Sequence, residues 1–163
     1  MYNKRVIDIV DKYQLIPHPE GGYYRESYRS PLMVSNAFDQ QRNASTAIYF
    51  LLTESNFSAF HRIKSDEMWH HYEGDPLTIH TISPKGVYEI LYLGHDRERS
   101  HRFQAMVKAG YWFASEVSPG GTYTFAGCTV SPGFDFQDFE MAEKSNLAEL
   151  FPQHEAIISR LSR

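Results

Sequence analysis

The chain has 163 residues, a length that a single hydrophobic core can serve. A formal net charge of -4 and a pI near 6.0 speak against nucleic acid as a partner, and no apolar run is long enough to span a membrane as a helix. One cysteine, Cys128, permits no internal disulfide and matches a reducing cytoplasm, while an aromatic fraction of 15% favours strands.

Val6, Ile9, Val10 and Tyr13 recur at helical spacing behind a cap at Asn3, which predicts a short amphipathic helix ending before Pro17. The first eight residues lack the uninterrupted apolar core of a secretory signal, so none is expected. Two prolines and two glycines make 17–22 a fixed loop rather than regular structure. Residues 23–29 read as an edge strand of mixed polarity, with Arg25 or Glu26 as the residue that faces a pocket if either does. Residues 30–43 read as a surface loop, and 44–52 as a buried strand.

The next stretch concentrates the candidate chemistry. A strand over 57–63, a bend at Lys64-Ser65-Asp66 and a second strand from Glu67 to Gly74 form a predicted hairpin. Strand side chains alternate faces, so His61 shares a face with Phe57, Ala59 and Ile63, and Glu67 shares one with Trp69, His71 and Glu73. If both faces point inward, His61, Glu67 and His71 converge. A histidine titrates near neutrality and a neighbouring carboxylate orients it, a combination suited to proton transfer.

Further strands are predicted over 76–83, 87–93, 102–107, 111–114 and 122–130, separated by Pro/Gly turns and, at 96–101, a charged loop. His80, His95 and His101 are expected in solvent, and Cys128 as a buried, inert thiol. Trp69 and Trp112 are candidate aromatic walls, and Asp135 and Asp138 candidate turn caps. Helical spacing returns over 144–161 with a break at Pro152. Regular short strands with turn chemistry predict an all-β sandwich or barrel, and no linker or repeat divides residues 1–163.

The motifs resemble a known group. His61, Ile63, Glu67 and Gly74 keep the spacing of the first cupin motif, with Ser55 in place of the leading glycine and Ile63 in place of the second histidine. Lys108-Ala109-Gly110-Tyr111-Trp112-Phe113 is similar to the second motif, with Phe113 where the histidine would stand. Residues 17–26, 65–70 and 127–140 are similar to the cupin-5 family.

The resemblance implies a double-stranded β-helix (a cupin jelly-roll barrel) with a short N-terminal helix and a C-terminal helical tail. It also implies a pocket for a polar small molecule and a homodimer, for which the 23–29 strand is the candidate contact. Metal-binding cupins use both motif-one histidines, the glutamate and the motif-two histidine. Only His61 and Glu67 remain here, so no metal and no other cofactor is expected.

Two functions stay open. One is an isomerase or epimerase of a sugar-like or keto substrate, with His61 as base and Glu67 as its orienter. In that reading Arg25, Glu26, Trp69, His71 and Trp112 contact the ligand. His61→Asn would then abolish turnover with stability nearly unchanged. The other is a binding or sensing protein that uses the same pocket without catalysis.

Overall fold

Val6 and Ile9 are the buried positions of helix α1 (Lys4–Tyr13), whose other face carries Asp8, Asp11 and Lys12 to solvent. The computed structural model describes residues 4–96 and 99–163, so the cap expected at Asn3 and part of the charged loop after Gly94 lie outside the described residues.

The strands are β1 (Ile16–Pro17), β2 (Tyr23–Arg29), β3 (Met33–Ser35), β4 (Gln41–Asn43), β5 (Thr46–Thr53), β6 (Phe57–Arg62) and β7 (Asp66–Gly74). They continue with β8 (Leu77–Ile82), β9 (Tyr88–Leu93), β10 (Gln104–Val107), β11 (Trp112–Val117), β12 (Tyr123–Ser131) and β13 (Glu140–Met141). Helices α2 (Lys144–Leu150) and α3 (Glu155–Arg160) close the chain around a single turn at Pro152–His154.

Two antiparallel sheets face each other, one in the order β1-β2-β5-β12-β7-β10 and the other β13-β6-β11-β8-β9. This is the expected all-β jelly roll with helices at both ends of the chain. Between the sheets lies a core that includes Phe50, Trp69, Ile79, Leu93, Phe113 and Cys128. Helix α1 covers the outer face of the first sheet through Val6, Ile9, Leu51 and Phe125. Helices α2 and α3 cover the second through Leu147, Ile158, Phe60 and Trp112. Covering both outer faces explains why no residue of β5 or β8 is exposed, on either face of the strand. Leu150, within the helical spacing read over 144–161, faces solvent.

Four local readings change. Residues 30–43 are not an unstructured loop: β3 and β4 pair there as a hairpin. The bend at residues 63–65 does not join hairpin partners. It carries the chain across the sandwich, because β6 pairs with β11 and β13 whereas β7 pairs with β12 and β10. A register shift between Phe125 and Ala126 breaks the alternation of β7 near Tyr72, so Glu73 turns to the outer face, where it meets Arg5 and Tyr123. His80 is buried under α3, with Nδ1 2.7 Å from the Tyr88 hydroxyl and Nε2 3.1 Å from Glu116. Glu116 in turn holds Arg160 of α3, which is what takes His80 out of solvent.

Candidate functional site

One end of the sandwich opens as a cavity of about 480 Å³. His61 reaches it from β6 and Glu67 from β7, so strand alternation delivers both inward from opposite sheets. Ile63, in the position of the missing motif histidine, is also in the lining, and Phe113 packs against the His61 ring at 4.1 Å between centroids.

The loop at residues 17–22 supplies the groups nearest to His61. Proline on both sides of His18 restricts its backbone, and the Ala59 amide donates to the Glu20 carbonyl at 2.8 Å, as a further strand would. Gly21 has φ of +114°, and a side chain there would meet the Phe57 carbonyl at 2.1 Å. Only glycine lets the loop lie this close to β6. The Glu20 carboxylate is thereby placed with Oε2 3.0 Å from His61 Nε2 and Oε1 2.9 Å from the Ser58 hydroxyl, which donates to it.

His61 donates from both ring nitrogens. Nδ1 lies 2.7 Å from the Ala59 carbonyl, which can only accept, and Nε2 faces the Glu20 carboxylate. Burial opposes charge on His61, but the Glu20 charge and hydrogen bond, with the Ala59 carbonyl, outweigh it and hold the pKa above the ordinary histidine value. For Glu20 burial again works against ionisation, and the His61 charge and hydrogen bond, with the Ser58 hydroxyl, overcome it and keep the pKa low. The two form a buried imidazolium–carboxylate pair. His18 is different: its Nδ1 accepts the Glu20 amide at 3.2 Å, and burial, the largest influence, lowers its pKa. His18 is therefore neutral, and its 3.5 Å approach to Glu20 is not an ion pair.

Glu67 sits in the opposite electrostatic situation. Burial, and then the charge of Glu20, push its carboxyl up to about 7, while His61 and a hydrogen bond with Cys128 act the other way. The Cys128 thiol is raised well above its ordinary value by burial and by Glu67, so it is a donor to that carboxyl and not a nucleophile.

Of the residues expected at the site, His61, Glu67, Arg25 and Glu26 line the cavity, whereas Trp69, His71 and Trp112 do not. Trp69 points inward but fills the core, edge-on to Phe50 at 5.5 Å. His71, two residues further along β7, lies beyond Trp69 with Nε2 3.1 Å from the Asp75 carbonyl. Trp112 has the parity opposite to Phe113, so it faces the C-terminal helices, with Arg62 stacked over its ring at 4.5 Å. Glu67 does not orient His61; Glu20 occupies that place.

The sequence reading assigned no site role to His18, Glu20, Cys128, Arg29 or the aromatic group Phe134, Phe136 and Phe139, all of which line the cavity. A histidine and a glutamate inside a Pro/Gly-fixed loop were the available signal for the first two. The phenylalanines are brought in by the segment after β12, where Asp135 caps a short turn by accepting the Gln137 amide. Asp138 there is clamped by buried Arg42 at 2.7 and 2.8 Å, so it is an anchor rather than a cap.

The residues present do not fit a metal ion. Both nitrogens of His61 are committed, Ile63 and Phe113 are apolar, and among the described residues no group of His, Cys, Asp and Glu side chains is arranged to hold one.

Several known proteins are similar to this chain over most of its length. A protein of Leishmania major is 40% identical and covers 96% of this chain and 97% of its own, with a TM-score of 0.92. Protein SO0799 of Shewanella oneidensis is 41% identical over 100% of this chain and 99% of its own, with a TM-score of 0.89. The Saccharomyces cerevisiae protein YML079W is 30% identical over 144 residues, covering 80% of this chain and 71% of its own. The family described as "Cupin superfamily (DUF985)" matches residues 7–142, which takes in the loop with Glu20, the His61 and Glu67 strands and the phenylalanine-bearing segment, and the chain belongs to that family.

Proposed function

We propose that this protein is a metal-independent isomerase or epimerase that moves a proton beside the carbonyl of a keto or sugar-like small molecule. The observation that carries the proposal is a pair of carboxyl groups in one cavity whose surroundings drive their acidities apart. Glu20 is held as a carboxylate by His61, whereas Glu67 titrates at about 7, where a group serves equally as acid and base.

Glu67 is the proton-transfer group in this reading. It takes the proton from the carbon beside the carbonyl and returns it to the same or a neighbouring atom. His61, with no free lone pair, acts through its positive charge on the oxyanion that develops. The apolar rings around the cavity exclude water. Tyr24 in the lining and the second acid Glu20 favour catalysis over simple binding, since a binder needs neither a titrating carboxyl nor its charged neighbour.

Deuterium uptake from D2O beside the carbonyl, followed by NMR over a panel of ketoses, keto acids and amino ketones, tests the proposal. Exchange should follow the titration of a single group near neutrality, and Glu67→Gln should slow it by about 10²–10⁴-fold. Ligands that bind in the cavity yet never exchange would establish the binding protein instead.

A homodimer is also proposed. Beyond the pairing of Tyr23 and Tyr24 with β1, residues 25–29 of β2 have no strand beside one edge among the described residues, and Tyr28, Leu32 and Met33 are exposed nearby. Light scattering at micromolar concentration should give twice the monomer mass, and a monomer would refute the proposal. Among the described residues no helix is long and apolar enough to cross a membrane. We place the protein in the cytoplasm, where its one buried thiol is compatible with reducing conditions.

A further inference from the structure

We infer that the ligand of this cavity carries a cationic nitrogen, a protonated amine or a quaternary ammonium. The inference deepens the proposed function by giving its substrate a charge class, and it rests on that reading only in using the same cavity.

Most of the inward charges of the lining are paired. Glu20 is paired with His61. Glu26 takes Arg29 in a two-pronged pair at 3.0 and 2.7 Å. The remaining donors of Arg29 go to the Asn43 side chain and the Phe134 carbonyl. Arg25 stands opposite Tyr49 in the β2–β5 register, and Tyr49 belongs to the outer cluster under α1. Arg25 borders the cavity, and the parity of β2 turns its side chain toward the outer face rather than inward. Glu67 is left as an inward carboxyl, 8% exposed, hydrogen-bonded to the Cys128 thiol and, among the described residues, in no ion pair, His61 acting on it only at a distance.

The walls complete the argument. Phe134, Phe136 and Phe139 surround one side with ring centroids 5.0 to 6.2 Å apart, and Tyr24 and Phe50 lie in the same lining. Aromatic rings and an unpaired carboxylate in one cavity are the chemistry that selects an alkylammonium group, because the ring quadrupoles attract the cation while the carboxylate neutralises it. An anionic ligand would have to approach Glu67, Glu20 and Asp135, while the lining cations His61 and Arg29 are already paired and Arg25 is turned outward by strand parity. A carbonyl compound with an ammonium group also suits the chemistry, since the positive charge acidifies the neighbouring C–H bond.

The test uses three molecules of one shape and different charge: choline, 3,3-dimethylbutan-1-ol and 3,3-dimethylbutanoate. Isothermal titration on the intact protein at about pH 8 should show choline binding at least about tenfold tighter than the neutral alcohol, with the carboxylate weakest. Choline affinity should fall about tenfold between about pH 8 and about pH 6 as Glu67 takes up its proton. Glu67→Gln, which mimics the protonated carboxyl and keeps the fold, should flatten this dependence and bring choline and the alcohol together.

Equal affinities for all three, tighter binding of the carboxylate, or no heat with choline would each overturn the inference. The deuterium-exchange assay is independent of this result. A cation preference without exchange removes the catalytic reading and leaves the inference standing. Exchange confined to uncharged or anionic carbonyl compounds does the reverse.

Discussion

Glu67→Gln should make the protein more stable above neutral pH, by about 3 kcal/mol, while it removes proton exchange in the cavity. The Glu67 carboxyl has an ordinary value of 4.5 and is pushed up to about 7 in the folded chain, by burial first and the Glu20 charge second. Between those values the folded protein retains a proton that the unfolded chain has released. Stability therefore falls as pH rises through the interval and stays lower above it. Glutamine has the shape of the protonated carboxyl and never ionises, so the variant escapes the whole penalty. Denaturant unfolding should give equal midpoints for both proteins at about pH 4 and a higher midpoint for the variant at about pH 8, with the same slope. A wild-type protein as stable as the variant at the higher pH would mean that Glu67 is ionised there at no cost. Its role as a poised acid and base would then fail. A functional carboxyl that lowers stability is a trade commonly made at active sites.

The fold was legible from the sequence because its signals are local. Turn residues bounded the strands, alternation placed His61 and Glu67 on inward faces, and the spacing from His61 to Gly74 carried the family resemblance. Alternation failed where the backbone adds a residue: the irregularity in β7 near Tyr72 sends Glu73 to the opposite face from the one expected. Trp112 was misplaced for a different reason. Its neighbour Phe113 stands in the motif position and faces inward, so Trp112 must face the helices. Nothing local shows that Glu20, 41 positions before His61, lies against it. That contact depends on how the fixed loop docks on β6 through Gly21, which is a tertiary fact. The expectation that Glu67 serves His61 was natural, since Glu67 is the nearest acid in the sequence on a face that points inward. The actual partner comes from an element whose sequence announces only rigidity.

His61→Asn should therefore cost about 3–5 kcal/mol of stability rather than leave it nearly unchanged, because it strips the cation from a buried carboxylate. Glu20 is 6% exposed and His61 2%, so water cannot replace the lost partner. The Ser58 hydroxyl still donates to Glu20 but brings no charge. Glu20→Gln should be milder. Without the carboxylate, His61 loses its second proton, keeps Nδ1–H on the Ala59 carbonyl and can accept the glutamine amide at Nε2. The double variant should consequently be more stable than His61→Asn alone, the signature of a coupled pair. The pH dependence follows from the two directions. The share of stability held by His61, whose pKa is raised, is full below its ordinary value of 6.5 and is lost as pH climbs through the folded value. The share held by Glu20, whose pKa is lowered, is present above 4.5 and is lost as pH falls through the folded value. Both shares are complete between 4.5 and 6.5, so the deficit of His61→Asn in denaturant unfolding should be largest there and shrink toward either extreme. A deficit that stays constant with pH would show that the histidine contributes packing against Phe113 and Phe139 and not charge.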